Sequence, residues 1–143
     1  MSSINFEECL YFASARLNRI VGKVSDSRFK QYGLSSTAAF ILMALSQEDS
    51  LNPTQIAQQL SLDRSTITRF LDKLERDGYI VRQANGRQMD VQLTAQGLAL
   101  QPDLKREWAA LNQAYLDQLG PDFEERLRQS MNDAFEKYQA QNK

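Results

Sequence analysis

The stretch from residue 53 to residue 78, "PTQIAQQLSLDRSTITRFLDKLERDG", leaves little freedom to any fold that contains it. Apolar residues at Ile56, Ala57 and Leu60 recur at helical spacing, stop, and resume at Ile67, Phe70, Leu71 and Leu74. Between the two runs only Ser61, Leu62 and Asp63 remain, enough for a tight turn and nothing more. Pro53 suits the first position of a helix, where its missing N–H is no loss, and Asn52 before it can cap. Gly78 is a good left-handed residue to end the second helix. Two short helices joined by so short a turn form a helix-turn-helix.

A hairpin comes next in the chain. In "YIVRQANGRQMDVQLT" the pair Asn85-Gly86 is the strongest short-range turn signal, because both central residues of a type I′ turn need positive φ. Centring the turn there pairs Arg82 with Met89 and Ile80 with Val91. Ile80, Met89, Val91 and Leu93 then share one face, while Val81, Gln83, Gln88, Asp90 and Gln92 take a mostly polar one.

Helices flank this centre. Phe6, Leu10, Ala13, Leu17, Ile20 and Val24 form one stripe of a long amphipathic helix. A turn at Gly33 and an N-cap at Ser35 introduce a nearly all-apolar helix from Thr37 to Ser46, which should be central. Thr94 caps a helix toward Tyr115 with a kink at Pro102, and Gly120-Pro121 restarts a last helix to about Gln139. The fold class is mainly α with a small β-hairpin wing. Its 143 residues fit one domain, 1–143, with a winged helix-turn-helix lobe at 34–98 and a helical region at 4–31 and 99–140.

Several functions are excluded or disfavoured by composition. With no histidine and Cys9 as the only cysteine, an intramolecular disulfide and a His-based catalytic dyad are impossible, and the usual nitrogen and sulfur ligands of zinc are nearly absent. There is no glycine-rich phosphate loop, so the reading is of a non-enzyme without cofactor or metal. The longest apolar run, Ala38 to Leu45, is far short of the ~20 residues of a membrane span. No membrane partner is expected, and the cytoplasm is the natural address. The net charge is −1, so a nucleic-acid site must be local.

Such a site is suggested by the second short helix. At 100° per residue, Ile67, Phe70, Leu71 and Leu74 fall on one side and Ser65, Thr68, Arg69, Asp72 and Arg76 on the other. A polar face alone more often means a solvated surface. In a helix-turn-helix, however, the first half of the second helix enters the major groove of double-stranded DNA. There Ser65, Thr68 and Arg69 would meet base edges, and Arg64, Thr66, Lys73 and Arg76 phosphates. Asp72 would repel phosphate unless it orients Arg69 or Arg76.

The blocks "YGLSSTAAFILMAL", "PTQIAQQLSLDRSTITRFLDKLERDGYIVR" and "VQLTAQG" resemble, in order and spacing, the MarR family of bacterial transcription regulators. The resemblance implies a winged-helix homodimer whose first and last helices interlock, with the recognition helix at 63–77 and the wing at 80–93. It implies a pseudo-palindromic operator and, in most members, repression relieved by a ligand or oxidant. Family wings often carry Asp-Arg-Arg near a longer tip, whereas this chain has Asn85-Gly86-Arg87, so only Arg87 matches as a minor-groove contact.

For the signal, the resemblance offers two sites. One is a small aromatic or amphipathic effector between the dimerisation helices and the DNA-binding lobe, met by Phe12, Trp108 and, for an anion, Arg16. The plainer reading makes Phe12 and Trp108 core or interface and Arg16 solvated. The other is Cys9, placed where peroxide sensors of the family carry a reactive cysteine, against the ordinary expectation of a small buried apolar residue. A winged helix that binds protein rather than DNA is the competing class, separable by salt-dependent binding to random DNA.

Overall fold

A computed structural model of the chain describes residues 3–142; the predicted single domain also takes in positions 1, 2 and 143, which lie outside them. In chain order the helices are α1 (Leu10–Phe29), α2 (Ser36–Leu45), α3 (Pro53–Leu60), α4 (Arg64–Arg76), α5 (Ala95–Ala99), α6 (Gln101–Leu119) and α7 (Pro121–Gln141). Strands β1 (Ile80–Asn85) and β2 (Gln88–Leu93) form an antiparallel hairpin between α4 and α5. The chain divides into two compact units, Met1–Glu107 and Trp108–Lys143, the division falling inside α6. No helix among the described residues is long and apolar enough to cross a membrane.

Capping chemistry sets the helix starts. Ser35, Asn52, Asp63 and Thr94 each accept a hydrogen bond from the backbone N–H three residues on, filling one of the donors a helix start leaves open. At Asn52 the bond is reciprocated, since its own N–H donates to Gln55 Oε1 at 2.9 Å. The start of α2 has a second cap from outside: Asp26 of α1 accepts from the Ser36 N–H at 3.0 Å and from the Ser36 hydroxyl at 2.6 Å. Ser25, also on α1 and buried, shares a hydrogen bond with that same hydroxyl.

The core of the first unit forms around α2, apolar on nearly every side and therefore central. Ile41 and Leu42 of α2, Ile56 of α3, Ile67 and Leu71 of α4 and Val91 of β2 are all fully buried. At about 25 cal/mol per Å² of apolar surface, each such side chain contributes roughly 1.5–3 kcal/mol. Leu60 is only half-buried.

Several boundaries differ from those predicted. The long first helix begins at Leu10, preceded by a 3-10 turn at Phe6–Glu8, because Cys9 is extended and breaks the helical run. It continues past Val24 to Phe29, whose buried ring anchors its end, and the outer part of the predicted stripe, Phe6, Leu10 and Ile20, is exposed. The predicted kink at Pro102 is a full break: α5 ends at Ala99 and α6 starts at Gln101, with the proline in its first turn, where no N–H is required. The last helix runs two residues further than expected, to Gln141.

The hairpin register differs as well. Ile80 pairs with Leu93, Arg82 with Val91, Ala84 with Met89 and Asn85 with Gln88, so the turn centres on Gly86-Arg87. Only Gly86 has positive φ, 65°, the pattern of a type II′ turn with glycine first. Asn85 remains in the strand, and its amide donates to Asp90 at 2.9 Å. Because the shift is two residues, the predicted faces survive it; a shift of one would have exchanged them. Outside the hairpin, Leu51 exchanges two backbone hydrogen bonds with Val91, at 3.2 and 2.8 Å, and fixes β2 along its outer edge.

Candidate nucleic-acid interface

The second helix of the helix-turn-helix is held from behind and open in front. Ile67, Leu71 and Leu74 are buried, whereas Arg64, Ser65, Thr68, Arg69, Asp72, Lys73 and Arg76 are exposed and Thr66 is half-buried. The turn before it passes through Ser61 in the left-handed region, φ 55°, and reaches Asp63, the N-cap. Asp63 accepts from the Thr66 N–H at 2.7 Å and from the Ser65 hydroxyl at 2.8 Å.

These bonds decide what the face presents. Ser65 donates its proton to Asp63, and Thr68 donates to the Arg64 carbonyl at 3.0 Å, so both hydroxyls offer oxygen lone pairs outward. Arg69 has one long contact, 3.4 Å from Nη2 to the Thr66 hydroxyl, and supplies the donors. Lys73 is engaged with Asp77 at 3.0 Å. The wing tip lies close to the start of α4: Arg87, Gln88 and Met89 line a depression of about 280 Å³ together with Arg64, the Asn52 cap and the first residues of α3, Pro53 to Gln55. Thr54 and Gln55 at this depression were not singled out from sequence, because only the fold brings the start of α3 beside Arg64 and Arg87.

Asp72 orients neither Arg69 nor Arg76. Its partner is Arg82 of β1, 2.8 Å away, which also binds Glu75 of α4 through Nη2 at 2.7 Å and Nε at 3.1 Å. Arg82 stands on the inward face of the hairpin, beside Ile80 and Val91, where a cation needs partners; that was its signal in the sequence.

Two carboxyls, that of the α4 cap Asp63 and that of Glu75 within α4, are held below their ordinary values. The Thr66 hydrogen bonds, with that of Ser65, lower Asp63 from 3.8, and the Arg82 guanidinium lowers Glu75 from 4.5. A carboxyl lowered by folding contributes stability that is complete above its ordinary value and lost as pH falls through the lowered one. The melting temperature should therefore be level above about pH 5 and decline below about pH 4. Asp63→Asn, which keeps a cap acceptor without a titrating group, should make that decline shallower; an unchanged slope would remove Asp63 as a cause.

Of the residues expected to meet a signal, Phe12 and Arg16 come together, with the guanidinium 5.0 Å from the ring centroid. Phe12 also stacks at a tilt on Phe6, 5.7 Å between centroids, and Arg16 pairs with Glu7 at 3.6 Å. Trp108 belongs to the second unit. Cys9 is exposed, contrary to the expectation of a buried apolar residue, because it caps α1 from an extended backbone with nothing packed over it.

A model of the MarR family matches residues 34–87, from the residue before the Ser35 cap to the wing tip. The HTH-type transcriptional regulator SarZ of Staphylococcus epidermidis is 32% identical over 95 residues, covering 64% of this chain and 62% of its own length. A MarR transcriptional regulator from Methanosarcina mazei is 26% identical in a solved structure, with a TM-score of 0.72 over 90% of this chain and 88% of its own. Over residues 34–87 the chain matches the MarR family. The structure of a MepR–DNA complex from S. aureus has the same fold at a TM-score of 0.78 and 19% identity, covering 90% of this chain and 98% of its own. The MarR-type element order, mainly helical with a two-stranded wing, is the one predicted. The chain spans less than two thirds of the length of its curated relative SarZ.

Proposed function

We propose that this chain is a sequence-specific DNA-binding transcription regulator, a homodimeric repressor of a pseudo-palindromic operator that a small-molecule effector releases. The observation that carries the reading is the face of α4. Arg69 and the Ser65 and Thr68 oxygens stand exposed on a helix clamped by buried Ile67, Leu71 and Leu74, with Arg87 of the wing and Arg64 beside one depression. Arg87, at a tip turned by Gly86, reaches the minor groove or its flanking phosphate. Across residues 53–94 there are six basic and five acidic residues, so binding depends on geometry more than on bulk charge.

Exposed apolar side chains support the dimer: Leu10, Tyr11 and Ile20 on α1, and, in the second unit, Phe123, Phe135 and Tyr138 on α7. The helical region at 4–31 and 99–140 is then the dimerisation region of one functional domain. Phe12 and Arg16 supply an aromatic face and a cation for an anionic aromatic effector.

The test is selection of genomic fragments by the purified protein, followed by titration of the selected duplex and of random DNA over a range of salt. Affinity should fall steeply with salt, and Arg87→Ala should reduce the logarithmic slope by about one. No salt-dependent binding to random DNA would favour a protein-interaction module instead. The exposed thiol of Cys9 favours a second trigger, oxidation. Peroxide that releases DNA equally from wild type and Cys9→Ser would remove it.

A further inference from the structure

We infer that Arg82 is a positioning residue for the wing: by clasping Asp72 and Glu75 it sets the tilt of the hairpin against the recognition helix and so the place where Arg87 meets DNA. The inference rests on the DNA-binding reading above. A two-stranded hairpin is marginal by itself and takes its orientation from what it is tied to. Here the ties are on opposite edges. Leu51 holds β2 through two backbone hydrogen bonds with Val91. On the other side, Glu75 Oε2 accepts from the Arg82 N–H at 3.2 Å, while Oε1 accepts from Nε and Nη2 of the same residue. Arg82 and Val91 are paired in the ladder, so both anchors act at one level of the hairpin.

Beyond that level the wing is a lever. Arg87 is five residues from Arg82, roughly 16 Å at the rise of a strand, so a tilt of about 15° displaces the tip by roughly 4 Å. That exceeds the tolerance of any hydrogen bond to DNA. With the Glu75 anchor gone, the Leu51 anchor alone leaves such a pivot free.

Arg82 has a second effect that must be separated from the first. Asp72 and Glu75 lie three residues apart on α4, and with Arg82 removed both would face DNA as uncompensated negative charges. Restoring affinity by neutralising them would mean that Arg82 acts by charge alone.

The experiment uses the full-length protein and a random DNA duplex at low salt. Arg82→Gln should weaken binding about tenfold, and adding Arg87→Ala should then cost less than about twofold more, because a misplaced Arg87 has little left to lose. Arg82→Gln combined with Asp72→Asn and Glu75→Gln should stay weak, whereas Arg82→Lys should recover part of the loss. Without DNA, hydrogen exchange in residues 80–93 should rise about tenfold in Arg82→Gln while α2 is unchanged. Additive losses, recovery in the neutral triple variant, or exchange rising equally throughout would overturn the inference. Wild-type protein that binds no duplex at low salt overturns the regulator reading instead, and hydrogen exchange alone then decides whether Arg82 sets the hairpin.

Discussion

Arg69→Ala is expected to weaken binding to the selected operator by about 5- to 150-fold, the ~1–3 kcal/mol that a bidentate arginine–guanine contact contributes. Binding to random DNA should fall much less, because only one positive charge is lost from a face that keeps Arg64 and Arg76. The expectation follows from the division of labour on α4. Ser65 and Thr68 have given their protons to Asp63 and to the Arg64 carbonyl, and so suit bases that present an amino group. Arg69 brings the donors that suit guanine. Titration of selected and random duplexes at one salt concentration measures both numbers. Equal losses on the two would assign Arg69 to phosphate and leave base choice to other residues.

Gly97→Ala should lower the melting temperature by several degrees, although the same change inside a helix ordinarily stabilises. A Cβ at position 97 would stand 2.3 Å from the Tyr79 carbonyl oxygen and 3.1 Å from a methyl of Leu93. The carbonyl cannot easily retreat, since it accepts the Thr94 N–H at 3.0 Å, and Thr94 itself caps α5 and donates to the Gly78 carbonyl at 2.7 Å. Overpacking of this kind costs about 1–3 kcal/mol, which exceeds the roughly 0.5–1 kcal/mol that alanine gains over glycine in a helix. Gly22→Ala in α1 is the control: nothing lies within 4 Å of its added Cβ, so it should raise the melting temperature slightly. Thermal unfolding of the two variants compares them directly, and a Gly97→Ala protein as stable as wild type would show that the junction of wing and α5 yields.

Much of the fold was legible because its decisive chemistry is local. Asn52, Asp63 and Thr94 announce helix starts with bonds that span three residues, and Gly78 and Gly120 announce ends with positive φ. The apolar phase of α4 likewise separated its buried side from its exposed one without knowledge of any partner. The hairpin register was not legible. Asn85-Gly86 and Gly86-Arg87 both satisfy the local requirements of a tight turn, and the choice fell to Leu51 and Tyr79, which bond to Val91 and Thr94 from outside it. The same limit hid the role of Asp72, whose partner lies ten residues away on a different element. Phe12 and Arg16 could be paired from their four-residue spacing, but that spacing says nothing about Trp108.

The double cap of α2 also bears on how a signal could travel. The first turn of α2 is tied to α1 by the Asp26 carboxylate and the Ser25 hydroxyl, and α2 packs on both helices of the helix-turn-helix. A displacement at the far end of α1 therefore has no slack segment in which to dissipate: it carries the first turn of α2 with it or breaks the bonds to Ser36. In mechanical language the junction is a coupling rather than a joint, and the load on it falls on one serine.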